Sequence, residues 1–135
     1  MNDPNEQNCW ETLAKLQIDK ALEAYEVAGM AIENGKLISA VNRLYYAAFY
    51  AASGLLQIRG KAFAKHSAVR AALHRDLVHP GDIPAEFGEL FDRLFKDRQD
   101  GDYKPETKFD RTEITNLFEE TKKFLSFVKE NIFKK

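Results

Sequence analysis

The sequence has few of the residues that interrupt or cross-link a chain: one cysteine, four prolines and seven glycines among 135 residues. The single cysteine, Cys9, excludes an internal disulfide and a CxxC metal site. No apolar run approaches the ~20 residues needed to cross a bilayer. The polar, acidic start lacks the cationic and apolar segments of a signal peptide. These absences predict a soluble cytoplasmic protein, and the length predicts one domain over residues 1–135.

The net charge of −1 conceals a strong charge polarity along the chain. Residues 1–35 sum to −5, residues 36–80 to +6, residues 81–103 to −4 and residues 104–135 to +2. A nonspecific DNA-binding protein is usually basic overall, which this chain is not. The basic segment is compatible with a local anion site and equally with solvated helix faces.

Apolar residues recur at the helical period along the whole chain, without the alternation typical of strands. The pattern predicts an all-α fold, an up-and-down antiparallel bundle of about five helices. The middle of the second helix, from Val41 to Ala52, carries a single charge, so this helix should be the central one. The predicted helices cover about residues 9–33, 37–58, 67–78, 84–99 and 111–132.

Local signals mark the helix ends. Asn34-Gly35 should end the first helix, because both residues tolerate the left-handed conformation. Asp82 is a candidate N-cap for the fourth helix, with Pro84 in its first turn, and Asp100-Gly101 should end that helix. Asp110 and Glu113 have capping-box spacing at the start of the fifth helix.

Arg98 stands out because it continues an apolar stripe. It lies eleven positions after Phe87, which on a helix places both residues within about 20° of each other. A guanidinium at that point must leave the core or find partners there. Asp102 and Tyr103 follow four and five positions later and supply a carboxylate and a hydroxyl. An Arg98–Asp102 ion pair that only secures the helix end is the alternative interpretation.

Helix topology suggests which other residues join Arg98. If consecutive helices are antiparallel, the end of the fourth helix lies near the end of the second and the start of the third. The free backbone amides at the start of a helix favour phosphate. We therefore predict a site for a phosphodiester or a nucleotide phosphate at this end of the bundle, formed by Arg98, Asp102, Tyr103, His66, Ser67, Lys65 and Arg59.

Other chemistry finds little support in the sequence. His74 and His79 lack a carboxylate at metal-ligand spacing, and no glycine-rich phosphate loop is present. The sequence predicts neither a metal site nor a cofactor. The aromatic cluster from Tyr45 to Tyr50 is interpreted mainly as core, although Tyr46 and Tyr50 lie four positions apart and could form a hydroxyl-bearing stripe.

Three segments together resemble the small stand-alone HEPN-domain proteins of bacteria and archaea: residues 42–52 (NRLYYAAFYAA), 65–69 (KHSAV) and 98–103 (RQDGDY). They occur in the family's order and at about its spacing, and the resemblance covers about residues 8–132. It implies a helical bundle that forms a homodimer. The family includes metal-independent ribonucleases, toxins of toxin–antitoxin pairs whose partner is a minimal nucleotidyltransferase, and noncatalytic modules that bind nucleotide or RNA.

The family's ribonuclease motif is an arginine, four to six residues, then a histidine. Here the arginine is Arg98, and Tyr103 stands where the histidine is expected. Tyrosine has a reference pKa near ~10 against ~6.5 for histidine, so it is a poor base at neutral pH. His66 could substitute only if packing brings it beside Arg98.

Three hypotheses remain open from the sequence. The first is a nucleotide- or RNA-binding HEPN module that works with a minimal nucleotidyltransferase in a toxin–antitoxin-like pair. The second is a metal-independent endoribonuclease, a toxin, using Arg98 with His66 or Tyr103 as catalytic residues. The third is a purely structural helical dimer. None of the three requires a membrane.

Overall fold

The computed structural model describes residues 4–134. A segment with π-helical hydrogen bonding, Leu73–Val78, directly continues the third helix. No strand occurs within the described range, so the all-α prediction is confirmed. The α-helices are α1 (Pro4–Glu33), α2 (Leu37–Gln57), α3 (His66–Ala72), α4 (Ala85–Tyr103) and α5 (Arg111–Asn131).

Helix α2 is the centre of the bundle, as its apolar sequence predicts. It packs against all four other helices, and its buried residues include a run of small side chains, Ala47, Ala48, Ala51 and Ala52, none of which is exposed to solvent. Small residues permit close helix approach: a Cβ at Gly54 would lie 3.4 Å from the Ala14 carbonyl oxygen of α1. Helix α1 therefore lies close along α2 and is joined to it by a short turn at Gly35, whose φ is +70°.

The direction of α3 differs from the expected antiparallel order. Its first residue, His66, contacts Tyr45 near the middle of α2, whereas Arg59 just beyond the end of α2 pairs with Asp82, which follows the π-helical segment. The loop after α2 turns back at Gly60, which has a φ of +77°. Helix α3 consequently begins beside the middle of α2 and runs parallel to it. The prediction that the end of α2 lies beside the start of α3 and the end of α4 is therefore wrong for α2.

Helix α4 is antiparallel to α2, since Gly101 near its end lies against Ile38 near the start of α2. The missing Cβ of Gly101 leaves room for this contact. A Cβ at Gly101 would lie 3.4 Å from Ile38 and 3.3 Å from the Phe109 ring. Gly101 has helical geometry, and α4 continues to Tyr103. The expectation that Asp100-Gly101 ends the helix is therefore wrong, because the glycine here serves close packing and not a turn.

Helix starts follow the sequence signals unevenly. The Asp110 side chain accepts a hydrogen bond from the Glu113 amide at 3.3 Å, which confirms the predicted cap of α5. Asp82 does not cap α4, because the Asp82 carboxylate pairs with Arg59. The N-cap position of α4 is Pro84. When the π-helical segment is counted with α3, the remaining helix boundaries agree with the sequence to within one residue, except that α1 begins at Pro4 and not near residue 9.

None of the helices within residues 4–134 combines the length and the apolar character needed to span a bilayer.

Candidate functional site

Arg98 lies on α4 against two tyrosine rings of α2. Its guanidinium carbon is 5.0 Å from the Tyr45 ring centroid and 5.3 Å from that of Tyr46, which is cation–π geometry. Nη2 donates a hydrogen bond to the Tyr46 hydroxyl at 3.4 Å. Nε lies 3.3 Å from a carboxylate oxygen of Asp102, an ion pair without the alignment of a hydrogen bond. The side chain is held from three sides and is 18% exposed.

This position follows from the sequence of α4. The apolar stripe that begins at Phe87 points α4 toward α2, and Arg98 is the first charged member of that stripe. Because the helix continues through Gly101, Asp102 lies one turn further along the same face and can pair with Arg98. The sequence predicts that Arg98 needs partners at the edge of the core, and these partners are the Tyr45 and Tyr46 rings and the Asp102 carboxylate.

His66, the first residue of α3, contacts Tyr45 and Tyr46, the same two rings that contact Arg98. Its Nδ1 is 2.9 Å from the Tyr45 hydroxyl, and its ring stacks on Phe49 with centroids 4.0 Å apart. Burial, and secondarily the charge of Arg98, lower the pKa of His66 below its usual value. The imidazole is therefore neutral at pH 7, and its contacts with the Tyr45 and Tyr46 rings place it in the same site as Arg98.

The proton between Tyr45 and His66 can be assigned. Burial raises the pKa of Tyr45 to about 12, so this fully buried side chain stays a phenol. The guanidinium of Arg98 faces the same ring and lowers that pKa in part, which favours turning the oxygen lone pairs toward Arg98 and the O–H toward His66. Nδ1 of His66 is then the acceptor, and its Nε2 carries a hydrogen. His66 thus presents a donor.

A second charged cluster lies where α3 and the π-helical segment meet α4. One oxygen of Asp92 accepts from Arg70 Nε at 2.7 Å and contacts His74 Nε2 at 2.9 Å. Burial would raise the pKa of Asp92, but the hydrogen bonds from Arg70 and His74 outweigh burial and lower it. The Arg70 guanidinium lies 4.7 Å from the Phe95 ring centroid, and Phe95 contacts Tyr45. The cluster therefore adjoins the Arg98 site through two aromatic rings.

Sequence reasoning missed the Asp92–His74 contact. Arg70 and His74 are four positions apart and share a helix face, which was a visible signal. The partner, Asp92, lies on another helix and could be found only from the tertiary structure.

The remaining residues predicted for the site lie apart from Arg98. Arg59 pairs with Asp82 at 2.7 Å beyond the end of α2, because the loop after α2 folds back. Tyr103 is 75% exposed, since five positions along a continuous helix turn it about 140° from Arg98. Lys65 and Ser67 are exposed, and the described part of the chain offers neither side chain a partner. Lys65 occupies the N-cap position of α3.

The structure thus brings together Arg98, Asp102 and His66 from the predicted set, and adds Tyr45 and Tyr46 from the cluster interpreted as core. Tyr45 is core, as expected, and is also the link between Arg98 and His66. Tyr46 is half-buried and has the Arg43 guanidinium 4.9 Å from its ring centroid. The site is consequently an aromatic surface that carries arginines.

Comparison with known proteins decides the family. The HEPN domain model matches residues 14–131. The chain belongs to the HEPN family. A UPF0332 protein of Thermotoga maritima is 36% identical to this HEPN domain over 113 residues, which cover 84% of this chain and 86% of the relative. Membership in the HEPN family supports a nucleotide- or RNA-related module.

Proposed function

We propose that this HEPN domain is a binding module for nucleotide or RNA that contacts phosphate through Arg98. The observation that carries the proposal is the state of Arg98, a guanidinium oriented by Asp102 and two tyrosine rings at the edge of the core. Orienting a planar, multidentate donor in advance reduces the entropy lost when it binds a phosphate.

The protonation of His66 supports binding over catalysis. With the shared proton assigned to the Tyr45 hydroxyl, Nδ1 of His66 accepts and the free ring nitrogen is an N–H donor. A donor stabilises a phosphate oxygen, whereas the family's ribonuclease mechanism needs a histidine that helps to move the proton of an attacking hydroxyl. The residue at the motif position, Tyr103, is 75% exposed and turned away from Arg98.

A metal-independent endoribonuclease is the second candidate, and the proximity of His66 to Arg98 favours it. The pKa of His66 is lowered, so its imidazole is neutral and able to accept a proton at pH 7. Catalysis would require Nδ1 to be freed from Tyr45, or Tyr45 to relay the proton. Tyr103 would act only after a rearrangement of the end of α4.

The proposal extends to partners through the family resemblance. We infer that the domain forms a homodimer and works in the cytoplasm with a minimal nucleotidyltransferase, in a toxin–antitoxin-like pair. In such an arrangement the binding module holds the nucleotide or RNA, and any covalent chemistry belongs to the partner. Co-purification with a nucleotidyltransferase encoded beside this chain, together with the mass of the isolated complex, tests this part of the proposal.

The decisive experiment measures binding and cleavage together. The purified protein is titrated with single-stranded RNA and with nucleoside monophosphates in the presence of EDTA, alongside Arg98→Ala, His66→Ala and the control Arg59→Ala. We expect Arg98→Ala to weaken binding about tenfold or more, because a charge-assisted hydrogen bond contributes about 1.5–3 kcal/mol. Arg59→Ala should leave binding unchanged, and the wild type should not cleave RNA.

Each alternative predicts a different result in this experiment. RNA cleavage by the wild type that is lost in Arg98→Ala and His66→Ala would establish the ribonuclease. An Arg98→Ala variant with a lower melting temperature but unchanged affinity per folded molecule would leave the purely structural dimer. Circular dichroism of each variant separates loss of fold from loss of binding.

A further inference from the structure

His66 lines a cavity of about 210 Å³, and Arg98 is not among the residues that line it. Its floor is one face of α2, and Gln17 of α1, Phe63 of the loop after α2 and His66 of α3 complete the wall. Ligand sites for drug-sized molecules usually occupy about 300–1,000 Å³. The volume therefore suits a single small ring system better than a whole nucleotide.

Two glutamine amides make this cavity polar at positions that otherwise face the core. Gln17 belongs to the apolar stripe of α1, and Gln57 lies at the end of α2. The side-chain oxygens of both are buried, and the described residues supply neither with a hydrogen-bond partner. A buried polar group without a partner costs about 1–3 kcal/mol. Leucine at both positions would therefore make the free protein more stable. The two amides lower stability, which a binding role would explain.

Aromatic rings form the rest of the recognition surface. Phe49 and His66 stack at 4.0 Å with an angle of 20° between their planes, and Phe63, which is 36% exposed, also lines the cavity. Flat faces favour a flat guest, because stacked arrangements bring the most atoms into contact. The terminal torsion of glutamine is broad, so each amide can turn its donor or acceptor group toward the edge of such a guest.

His66 connects the cavity to the Arg98 site. The same imidazole lines the cavity, hydrogen-bonds Tyr45 and has its pKa lowered by the charge of Arg98. A nucleotide places its planar base and its phosphate on opposite sides of a sugar. The imidazole lines the cavity and contacts the same Tyr45 and Tyr46 rings as the Arg98 guanidinium, so the cavity and the guanidinium adjoin one shared group.

We propose that this cavity binds the base of the nucleotide or RNA residue whose phosphate contacts Arg98, with the Gln17 and Gln57 amides reading the hydrogen-bonding edge of the base. This inference rests on the proposed phosphate contact and adds a base-binding subsite to it. The site should accept a free nucleoside, since the base interacts with residues other than Arg98.

The test uses nucleosides, which carry no phosphate. Adenosine, guanosine, cytidine and uridine are titrated into the protein while the side-chain amide signals of Gln17 and Gln57 are followed by NMR. We expect saturable shifts of both signals with at least one nucleoside. Gln17→Leu or Gln57→Leu should weaken the binding of that nucleoside about tenfold, without lowering the melting temperature of the free protein. The control Gln99→Leu changes an exposed glutamine on α4 and should have no effect.

Ser53→Leu provides a second variant, because Ser53 lines the cavity and the larger side chain would fill it. It should abolish nucleoside binding while ribose 5-phosphate binding, which depends on Arg98, is unchanged. The inference is overturned if no nucleoside shifts the glutamine amides, or if Gln17→Leu, Gln57→Leu and Ser53→Leu all bind nucleosides like the wild type. In either case an Arg98-dependent affinity for RNA would leave the proposed function standing.

Discussion

Tyr45 shows how one residue can belong to both core and site. It is completely buried and contacts aromatic rings of α2, α3 and α4, including Phe91 and His66. Its hydroxyl is the only polar atom of the side chain, and it is paired with His66. The aromatic ring stabilises the fold, while the hydroxyl orients His66 by pairing with its Nδ1 at 2.9 Å.

The coupling of His66 to Arg98 gives a prediction at the residue scale. The pKa of His66, measured by NMR titration, should lie below the reference value of about 6.5, chiefly through burial and secondarily through Arg98. Arg98→Gln removes the second cause and should raise that pKa part of the way back. Arg59→Gln, which removes an arginine paired elsewhere with Asp82, is the matched control and should not shift it.

The lowered pKa of His66 also predicts how the stability of the protein changes with pH. Because the folded-state pKa of His66 lies below the unfolded value, the unfolded chain binds more protons between the two values. The contribution of His66 to the free energy of unfolding should therefore decrease as the pH falls from 7 through about 6.5 and below. His66→Gln should reduce this pH dependence in urea denaturation. An equal dependence in the variant would show that other groups cause it.

At the scale of elements, Gly88 controls how α4 meets the π-helical segment. A Cβ at Gly88 would lie 2.9 Å from His74 Cε1 and 3.0 Å from Val78 Cγ2. His74 cannot easily move aside, because its Nε2 is paired with an Asp92 carboxylate oxygen at 2.9 Å. The glycine therefore permits the close approach that brings Asp92 within reach of α3.

Gly88→Ala should destabilise the protein although alanine favours a helix. The propensity gain is at most about 1 kcal/mol, whereas overpacking costs about 1–3 kcal/mol, so we expect a net loss of about 1 kcal/mol in denaturant unfolding. His74→Ala in the same background removes the clashing ring. Gly88→Ala should cost less stability in the His74→Ala background than in the wild type. Equal costs in the two backgrounds would contradict the steric explanation.

For the whole molecule, tertiary pairing offsets part of the charge polarity of the sequence. The basic segment 36–80 meets the acidic segment 81–103 in the Arg59–Asp82 and Arg70–Asp92 pairs. Arg98 pairs with Asp102 within the acidic segment. These pairs reduce the positive charge that the basic segment presents to a polyanion.

This charge arrangement predicts a weak salt dependence of RNA binding. For single strands, the slope of log K against log salt is about −0.7 for each phosphate neutralised. With two or three phosphate contacts we expect a slope of about −2 or shallower in titrations from 50 to 200 mM salt. A slope near −5 would mean that many surface lysines bind the backbone, and would contradict a site centred on Arg98.

The periodicity of the sequence was enough to predict the helices and the central place of α2, because a helix buries whichever face is apolar. The sequence also identified Arg98, since a guanidinium at the end of an apolar stripe must find partners. It failed at Gly101, where an isolated glycine indicates either a stop or a close contact. Only the positions of Ile38 and Phe109 show that the contact is the reason.

What the sequence alone determined was the all-α class, the approximate helix bounds, the cap at Asp110 and the presence of an arginine in need of partners. All of these depend on interactions between residues within a few turns of one helix. The tertiary structure decided that His66 joins Arg98 through Tyr45 and that Arg59 and Tyr103 do not. That outcome depends on the reversal of the loop at Gly60 and on the uninterrupted turn of α4. These features set the direction of whole helices, and no local pattern specifies them.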